Sequence, residues 1–427
     1  MFAKSLSAWL LKHGIHYGFV IAFITFFTML IMAAALGLPG AMMKSLNLEF
    51  GWSIDEVSSA VALRFLLYGL MGPFAAMLME RYGLKKVMCC GLFLVGSGLA
   101  LATQVSALWQ LFLLWGVMLG VGTGMTALVL GAVVSSRWFT KKRGLILGIF
   151  SASTATGQLL FLPVATWLIE NIGWRVSVMP IVVGCFIMAI LVICLMSDRP
   201  SKVGLTSYGE SVETPTATLA PMVLNLKTPF IALFDAAKTK TFWVLSATFF
   251  ICGLSTSGLV QTHFITLCGD NGLDPLPAAS VLAMMGIFDV IGTITSGWLS
   301  DRYENRKLLF WYYGLRGLSL FWLPFSPFTV YGLSIFAMFY GLDWIATVPP
   351  TVKLTAAAFG KERVGMVFGW IFAAHQLGSA TAAYGAGLVR VHLLTYNPAL
   401  ISAGLFCLVA ALAIFAVPRL QPIKPTN

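Results

Sequence analysis

The chain has 427 residues, 59% of them hydrophobic and only 10% charged, with a net charge of +11. A soluble domain of this length cannot place so many apolar side chains in one core, so the surrounding solvent must be lipid. In a soluble protein the basic excess would point to nucleic acid; its placement between apolar runs excludes that partner here.

Apolar runs of about 20 residues, the length of helix that crosses a bilayer, recur twelve times. The first half carries them near Tyr17 to Met42, Val57 to Met79, Val87 to Ala102, Leu108 to Val134, Leu145 to Ile169 and Val176 to Met196. The second half repeats the set at Phe242 to Thr262, Ala278 to Leu299, Leu308 to Leu323, Phe328 to Val352, Val364 to Val389 and Ala399 to Val417. These are spans 1 to 12. None alternates as barrel strands do, so the expected class is an all-α membrane protein. Basic residues ahead of span 1 (Lys4, Lys12) resemble a signal peptide, but the run is of full spanning length and no small-residue cleavage site is evident, so it reads as the first anchor.

Most of the 27 Lys and Arg fall in loops on one side, among them Arg81, Lys85, Lys86, Arg137, Lys141, Arg306 and Lys307, against Lys44, Arg175 and Arg390 on the other. The positive-inside rule then puts both termini in the cytoplasm. Seven cysteines fall mostly within spans, with neither metal-ligand spacing nor a secreted disulfide pattern, and read as packing residues. The polar stretch 197–240 is expected to be a cytoplasmic linker between six-helix bundles at 1–196 and 241–427.

The halves are related by an offset of 221 residues, the separation of Glu80-Arg81-Tyr82 after span 2 from Asp301-Arg302-Tyr303 after span 8. The same shift pairs Gly120 with Gly341, Gly148 with Gly369 and Gly157 with Gly378. Parallel six-helix repeats are a transporter architecture, with the site at mid-membrane between the halves. The loop MERYGLKK resembles the major facilitator superfamily signature between helices 2 and 3, with Glu80 for the usual Asp and Ala76 for the leading Gly; SDRYENRK resembles its echo. The segments FGWSIDEVSSA, RWFTKKRGLILGIFSAS and DRPSKVGLTSYGE are similar to the bacterial monocarboxylate-transporter-like group. That group's helix 8 carries an Asp and, four residues on, an Arg that binds the substrate carboxylate; here Asp289 matches and Thr293 stands in place of the Arg, which sets the chain apart from carriers of simple monocarboxylates. The resemblance implies two pseudo-symmetric six-helix bundles (the major facilitator fold) in the bacterial inner membrane.

Ionisable groups inside a membrane are costly and default to functional candidates. Asp343, about fifteen residues into span 10, and His375 in span 11 lie at similar depth and are candidates for proton coupling, with His375 the expected partner of Asp343; the alternative for each is a static bond between helices. Asp289 in span 8 sits one repeat from Tyr68, and Arg64 lies four residues before Tyr68, so Arg64 and Asp289 are expected to pair or part during rocking. Arg64 serves otherwise as an anchor for an anion, or as an arginine snorkelling to the interface. Gln158 and Gln376 are candidate cavity hydrogen bonders, completing a substrate set of Arg64, Tyr68, Asp289, Gln158 and Gln376. Arg316 reads as structural, because span 9 is peripheral in proteins of this resemblance. Glu80, Arg81, Asp301 and Arg302 are candidate gate latches. Pro349 and Pro350 should bend span 10 one to two turns beyond Asp343.

The function so implied is secondary transport of a small organic anion by alternating access, as proton-coupled uptake. The antiporter signature of span 5 is broken: Gly148 and Gly157 keep its first spacing, but Phe161 and Leu162 occupy its Gly-Pro step. Expected partners are a small anionic substrate, protons and lipid, without nucleic acid, for a monomeric chain. The rivals are an exporter of a metabolite or siderophore and a non-transporting receptor of the same fold. No metal cluster, nucleophile elbow or phosphate loop supports an enzyme or calls for a cofactor.

Overall fold

The computed structural model describes residues 2–141, 143–157, 161–210, 227–300, 302–360 and 364–418. Among the described residues it is helical, with one isolated parallel bridge between Phe139 and Tyr208 as its β pairing. Span 1 is Gly18–Phe50, span 2 Ile54–Tyr82, span 3 Leu84–Ala102, span 8 Pro275–Ser300, span 9 Asn305–Trp322, span 11 Val364–Leu393 and span 12 Asn397–Ala413. Spans 4, 5, 6, 7 and 10 are built from shorter consecutive pieces. Nine helices among the described residues are long and apolar enough to cross a membrane by length and composition.

Span 1 continues eight residues past its expected end at Met42. The reason lies at its tip, where Glu49 accepts from Arg175 Nη2 (2.6 Å) and Nη1 (2.8 Å) and from Trp174 Nε1 (2.6 Å), so the last turns project to a polar layer. Span 2 then starts on a capping box, the Ser53 N–H donating to Glu56 Oε2 at 2.8 Å.

The 221-residue repeat reappears as packing. A Cβ placed on Gly120 of span 4 would stand 2.9 Å from the Arg64 carbonyl of span 2; one on Gly341 of span 10 would stand 2.5 Å from the Met285 carbonyl of span 8. Arg64 and Met285 are themselves one repeat apart. The two glycines therefore do the same thing in each half: they let spans 4 and 2, and spans 10 and 8, touch backbone to backbone. The halves meet mainly along spans 2 and 11, where Gly387 faces Ser58, Gly69 faces Gln376, and Pro73 faces Gly369.

The start of span 1 and the end of span 12 share one face of the molecule, called here the terminal face. The segment after span 6 does not hang free there. Tyr208 N–H donates to the Trp138 carbonyl (2.8 Å), Thr140 and Lys141 N–H donate to the Tyr208 carbonyl (3.0 and 3.1 Å), and Ser207 Oγ donates to the Arg137 carbonyl (3.1 Å). It is thus a strap across the junction of spans 4 and 5. A short helix, Thr228–Ala237, then lies at the foot of the span 2 and span 11 seam, with Phe230 against Phe74 and Trp370 (ring centroids 5.6 and 5.8 Å).

Candidate functional site

A central cavity of about 620 Å³, counting its space open to solvent, lies between the halves. Leu36 of span 1, Phe65 and Tyr68 of span 2, Leu128 of span 4 and Thr154 of span 5 line it from one half. The other half supplies Phe249, Cys252, Thr256 and Ser257 of span 7, Trp344, Ile345 and Val348 of span 10, and Phe372, His375 and Gln376 of span 11. Span 7 reaches the cavity through a π-helical stretch, Leu254–Gln261, whose wider turn follows Cys252 and presents Thr256 and Ser257.

Behind the span 7 and span 10 wall sits a buried charge network. Arg316 of span 9 donates from Nε to Asp343 Oδ2 at 2.6 Å, from Nη1 to Cys252 Sγ at 2.9 Å, and from Nη2 to the carbonyls of Asp343 (2.5 Å) and Trp344 (3.3 Å). Arg316 is 1% exposed and Asp343 6%. Arg316 is therefore not a peripheral arginine reaching for headgroups. Its planar five-donor fork is met on each of its three nitrogens, which is what allows a guanidinium to be buried.

The proline pair lies just past the break in the backbone that supplies two of those acceptors. The helix of span 10 ends at Asp343 and resumes at Val348, so the break begins at Asp343 rather than one to two turns beyond it. Pro349 and Pro350 have no N–H for the carbonyls of Ile345 and Ala346, and each ring crowds the carbonyl four residues earlier, so disruption falls upstream of the prolines. Span 8 and span 9 use the opened backbone. Ser296 Oγ donates to the Ala346 carbonyl (2.5 Å), Ile345 N–H donates to Asp289 Oδ1 (2.8 Å), and Arg316 takes the two carbonyls already named.

Asp289 does not meet Arg64. Its second partner is Thr293 Oγ1 at 3.0 Å, so the residue standing at the position of the missing arginine holds the carboxylate as a hydroxyl donor one helical turn on. Asp289 Oδ2 and Asp343 Oδ1 are buried without a hydrogen-bond partner. Arg64 is 1% exposed, its Nε and Nη1 are unpartnered, and it forms no ion pair among the described residues. Its Cζ stands 4.6 Å over the ring of Phe65, a residue that lines the cavity. The snorkelling alternative is thereby excluded.

His375 is not bonded to Asp343, contrary to expectation. It packs parallel to Phe372 (9°, centroids 5.7 Å) and near Phe249 (4.8 Å), and its Nδ1 accepts from Gln376 Nε2 at 3.2 Å. The physical reason is rotational: equal depth on neighbouring spans does not make two side chains face each other. Tyr68 and Gln376 border the cavity, and Asp289 lies behind its wall. Gln158 lies outside the described residues. The sequence reading passed over Cys252, Phe249, Trp344 and Phe372; for Arg316 a signal was present, since two arginines and two aspartates inside the spans invite pairing.

At the terminal face, Glu80 is ion-paired with Arg137 of span 4 and lies 3.5 Å from Arg199. Asp198 accepts from Lys85 N–H (3.1 Å) and Lys202 Nζ (2.6 Å). Burial works against the charge on Asp198, but the bonds from Lys202 and the Lys85 backbone, with the Lys202 and Arg137 charges, outweigh it and hold its carboxyl below the usual range. Gly83, at φ 89°, leaves room for that carboxylate, which a Cβ would meet at 2.8 Å. Arg81 and Arg302 lie over Tyr82 and Trp298 (5.3 and 3.9 Å). Asp301 lies outside the described residues.

The sequence profile of the Major Facilitator Superfamily matches residues 19–383 and 270–427. The chain is similar to monocarboxylate transporter 13 of Rattus norvegicus, 24% identical over 405 residues that cover 94% of this chain and 89% of that protein. It is also similar to the MFS-type transporter YcxA of Bacillus subtilis, 21% identical over 340 residues, covering 78% of each. In fold it resembles a crystal structure of D-xylose-proton symporter at a TM-score of 0.74, with 14% identity, over 95% of this chain and 99% of that one. With its helices in two repeats around a central cavity, this chain belongs to the Major Facilitator Superfamily of membrane transporters.

Proposed function

We propose that the protein is a secondary active transporter that takes up a small organic anion by alternating access, coupled to protons. The observation that carries this reading is Arg64: a buried guanidinium with two unpartnered nitrogens, 4.6 Å from the ring of the cavity-lining Phe65. An unpaired buried cation is costly, and a substrate carboxylate that reaches it relieves that cost. Rotation of Phe65 would open the way. The names of relatives such as monocarboxylate transporter 13 agree with an anionic substrate.

Proton coupling is assigned to Asp343, with His375 at the cavity surface as the group that relays to water. Protonation of Asp343 removes the charge that holds Arg316 Nε. It thereby loosens the grip of Arg316 on the broken backbone of span 10, whose lower piece is the proposed inner gate. Glu80, through its ion pair with Arg137, is assigned together with Arg81, Asp301 and Arg302 to the latch of the terminal face, which we take as cytoplasmic in a bacterial inner membrane.

The test uses the protein in proteoliposomes. Asp343→Asn should abolish proton-driven accumulation while substrate exchange stays measurable; unchanged accumulation removes Asp343 from coupling. Arg64→Ala should raise the half-saturation concentration for organic anions. If no anion competes for transport in the native protein, the anionic assignment fails.

A further inference from the structure

We infer that the cavity selects organic anions by an aromatic ring, so that its substrate class is aromatic carboxylates rather than short aliphatic ones. This rests on the organic-anion reading above and narrows it. Four rings follow one another along the wall: Tyr68 against Phe372 (5.7 Å, 71°), Phe372 against His375 (5.7 Å, 9°), and His375 against Phe249 (4.8 Å, 50°). All four border the cavity, and Phe65 and Trp344 border it as well.

A two- or three-carbon carboxylate would touch one or two of these rings and gain almost nothing from them, since it has little apolar surface to remove from water. A planar aromatic group, by contrast, meets ring edges and faces at the spacings that aromatic pairs prefer. Nor does the wall suit a sugar. Its polar groups are single neutral ones, such as Thr154, Thr256, Ser257 and Gln376, too sparse to satisfy a ring of hydroxyls. Arg64 stands over the ring of Phe65 in the first half, whereas the charge behind the wall of spans 7 and 10 is already paired as Arg316 with Asp343. An aromatic wall, with an arginine that has no ion pair among the described residues beside one of its rings, matches a carboxylate carried on an aromatic ring.

The four rings also come from both halves, Tyr68 from span 2 and the others from spans 7 and 11. An aromatic substrate lying on them would touch both bundles at once, whereas a small carboxylate would touch one. Binding of the ring is therefore what draws the halves together around the substrate.

Matched pairs test this on the purified full chain, with thermal stability and tryptophan fluorescence as binding readouts and proteoliposome uptake as the transport readout. Phenylpyruvate should bind at least about tenfold more tightly than pyruvate, since burying a phenyl ring supplies that much. Phe372→Leu and Phe249→Leu should each erase most of that ratio, with pyruvate binding in the same variants as the control for folding; Phe249→Leu, at a residue buried in the core, should lower the melting temperature as well. Pyruvate binding as well as phenylpyruvate, both Leu variants keeping the full ratio, or neither probe binding, would each overturn the inference. The pair phenylacetate and phenylacetamide separates it from the reading beneath it. If the amide binds as tightly as the acid, the anion assignment falls; if pyruvate and phenylpyruvate bind equally and the amide does not bind, the anion assignment stands and ring selection falls.

Discussion

Arg316 Nε donates to Asp343 Oδ2 at 2.6 Å, and Arg316 Nη2 donates to the backbone carbonyl of the same aspartate at 2.5 Å. One arginine thus holds both the side chain and the broken main chain of span 10. Losing either partner leaves a charge buried alone, which costs about 3–5 kcal/mol, whereas neutralising both together costs much less. Arg316→Leu should therefore destabilise the protein strongly, and adding Asp343→Leu should recover part of the loss. A double-mutant cycle on thermal unfolding in detergent reads this directly. Additive losses would mean that the pair is not energetically coupled.

The second expectation concerns the prolines. Replacing Pro349 and Pro350 with alanine restores N–H groups for the carbonyls of Ile345 and Ala346, and removes the ring clash that keeps span 10 open. The helix should then close across 344–347, withdrawing the Ile345 N–H from Asp289 and the carbonyls from Arg316. Turnover in proteoliposomes should fall by about tenfold or more while the protein still folds, a loss of about 1.4 kcal/mol or more in barrier terms. Amide hydrogen exchange at 344–348 should slow. Exchange rates unchanged at these amides would show that packing, not the prolines, sets the break.

Gly120 and Gly341 form the third test. Valine at either position must push apart spans 4 and 2 or spans 10 and 8, because the nearest atoms are the Arg64 and Met285 backbones rather than flexible side-chain ends. Overpacking of this kind costs about 1–3 kcal/mol. Gly148, where an added Cβ meets nothing within 4 Å, is the control and should accept alanine freely. Equal thermal stability of all three variants would contradict the close approach in both halves.

The strap after span 6 should respond to pH through His16. Its Nδ1 accepts from the Gly18 N–H (3.1 Å), which leaves Nε2 to donate to the Thr206 carbonyl (3.1 Å), so the bonded form is the neutral ring. Burial lowers the His16 pKa below 6.5, against a smaller opposing effect of the Thr206 bond. A histidine depressed in the fold stabilises it fully above its unfolded value, and that contribution is lost as pH falls from 6.5 through the folded value. Limited proteolysis within 200–210 should quicken over that range, and His16→Gln should flatten the change. A profile without pH dependence in the native protein would exclude His16 as the strap's titrating contact.

Much of the site could be read from the chain because its chemistry is rare. In a sequence with 10% charged residues, Arg64, Asp289, Arg316, Asp343 and His375 stand out wherever they fall within an apolar run. Cys252, Phe249 and Phe372 could not be singled out, since a chain with 32 phenylalanines and seven cysteines gives no reason to prefer those. Their importance comes from bordering the cavity.

Hydropathy and a constant offset are properties read along one dimension, and with them the sequence by itself determined the membrane class, the repeat and five of the ionisable groups inside the spans, though not His263, which is buried in span 7 against Tyr396 and the Ala383 carbonyl. Which of those groups meet was decided only in three dimensions. Pairing requires that two helices present the right faces within about 3 Å, and a turn of one residue rotates a side chain by about 100°. That is why Asp343 faces Arg316 of span 9 rather than His375 of span 11, and why Asp289 is held by Thr293 and the Ile345 backbone while Arg64 has no ion-pair partner among the described residues.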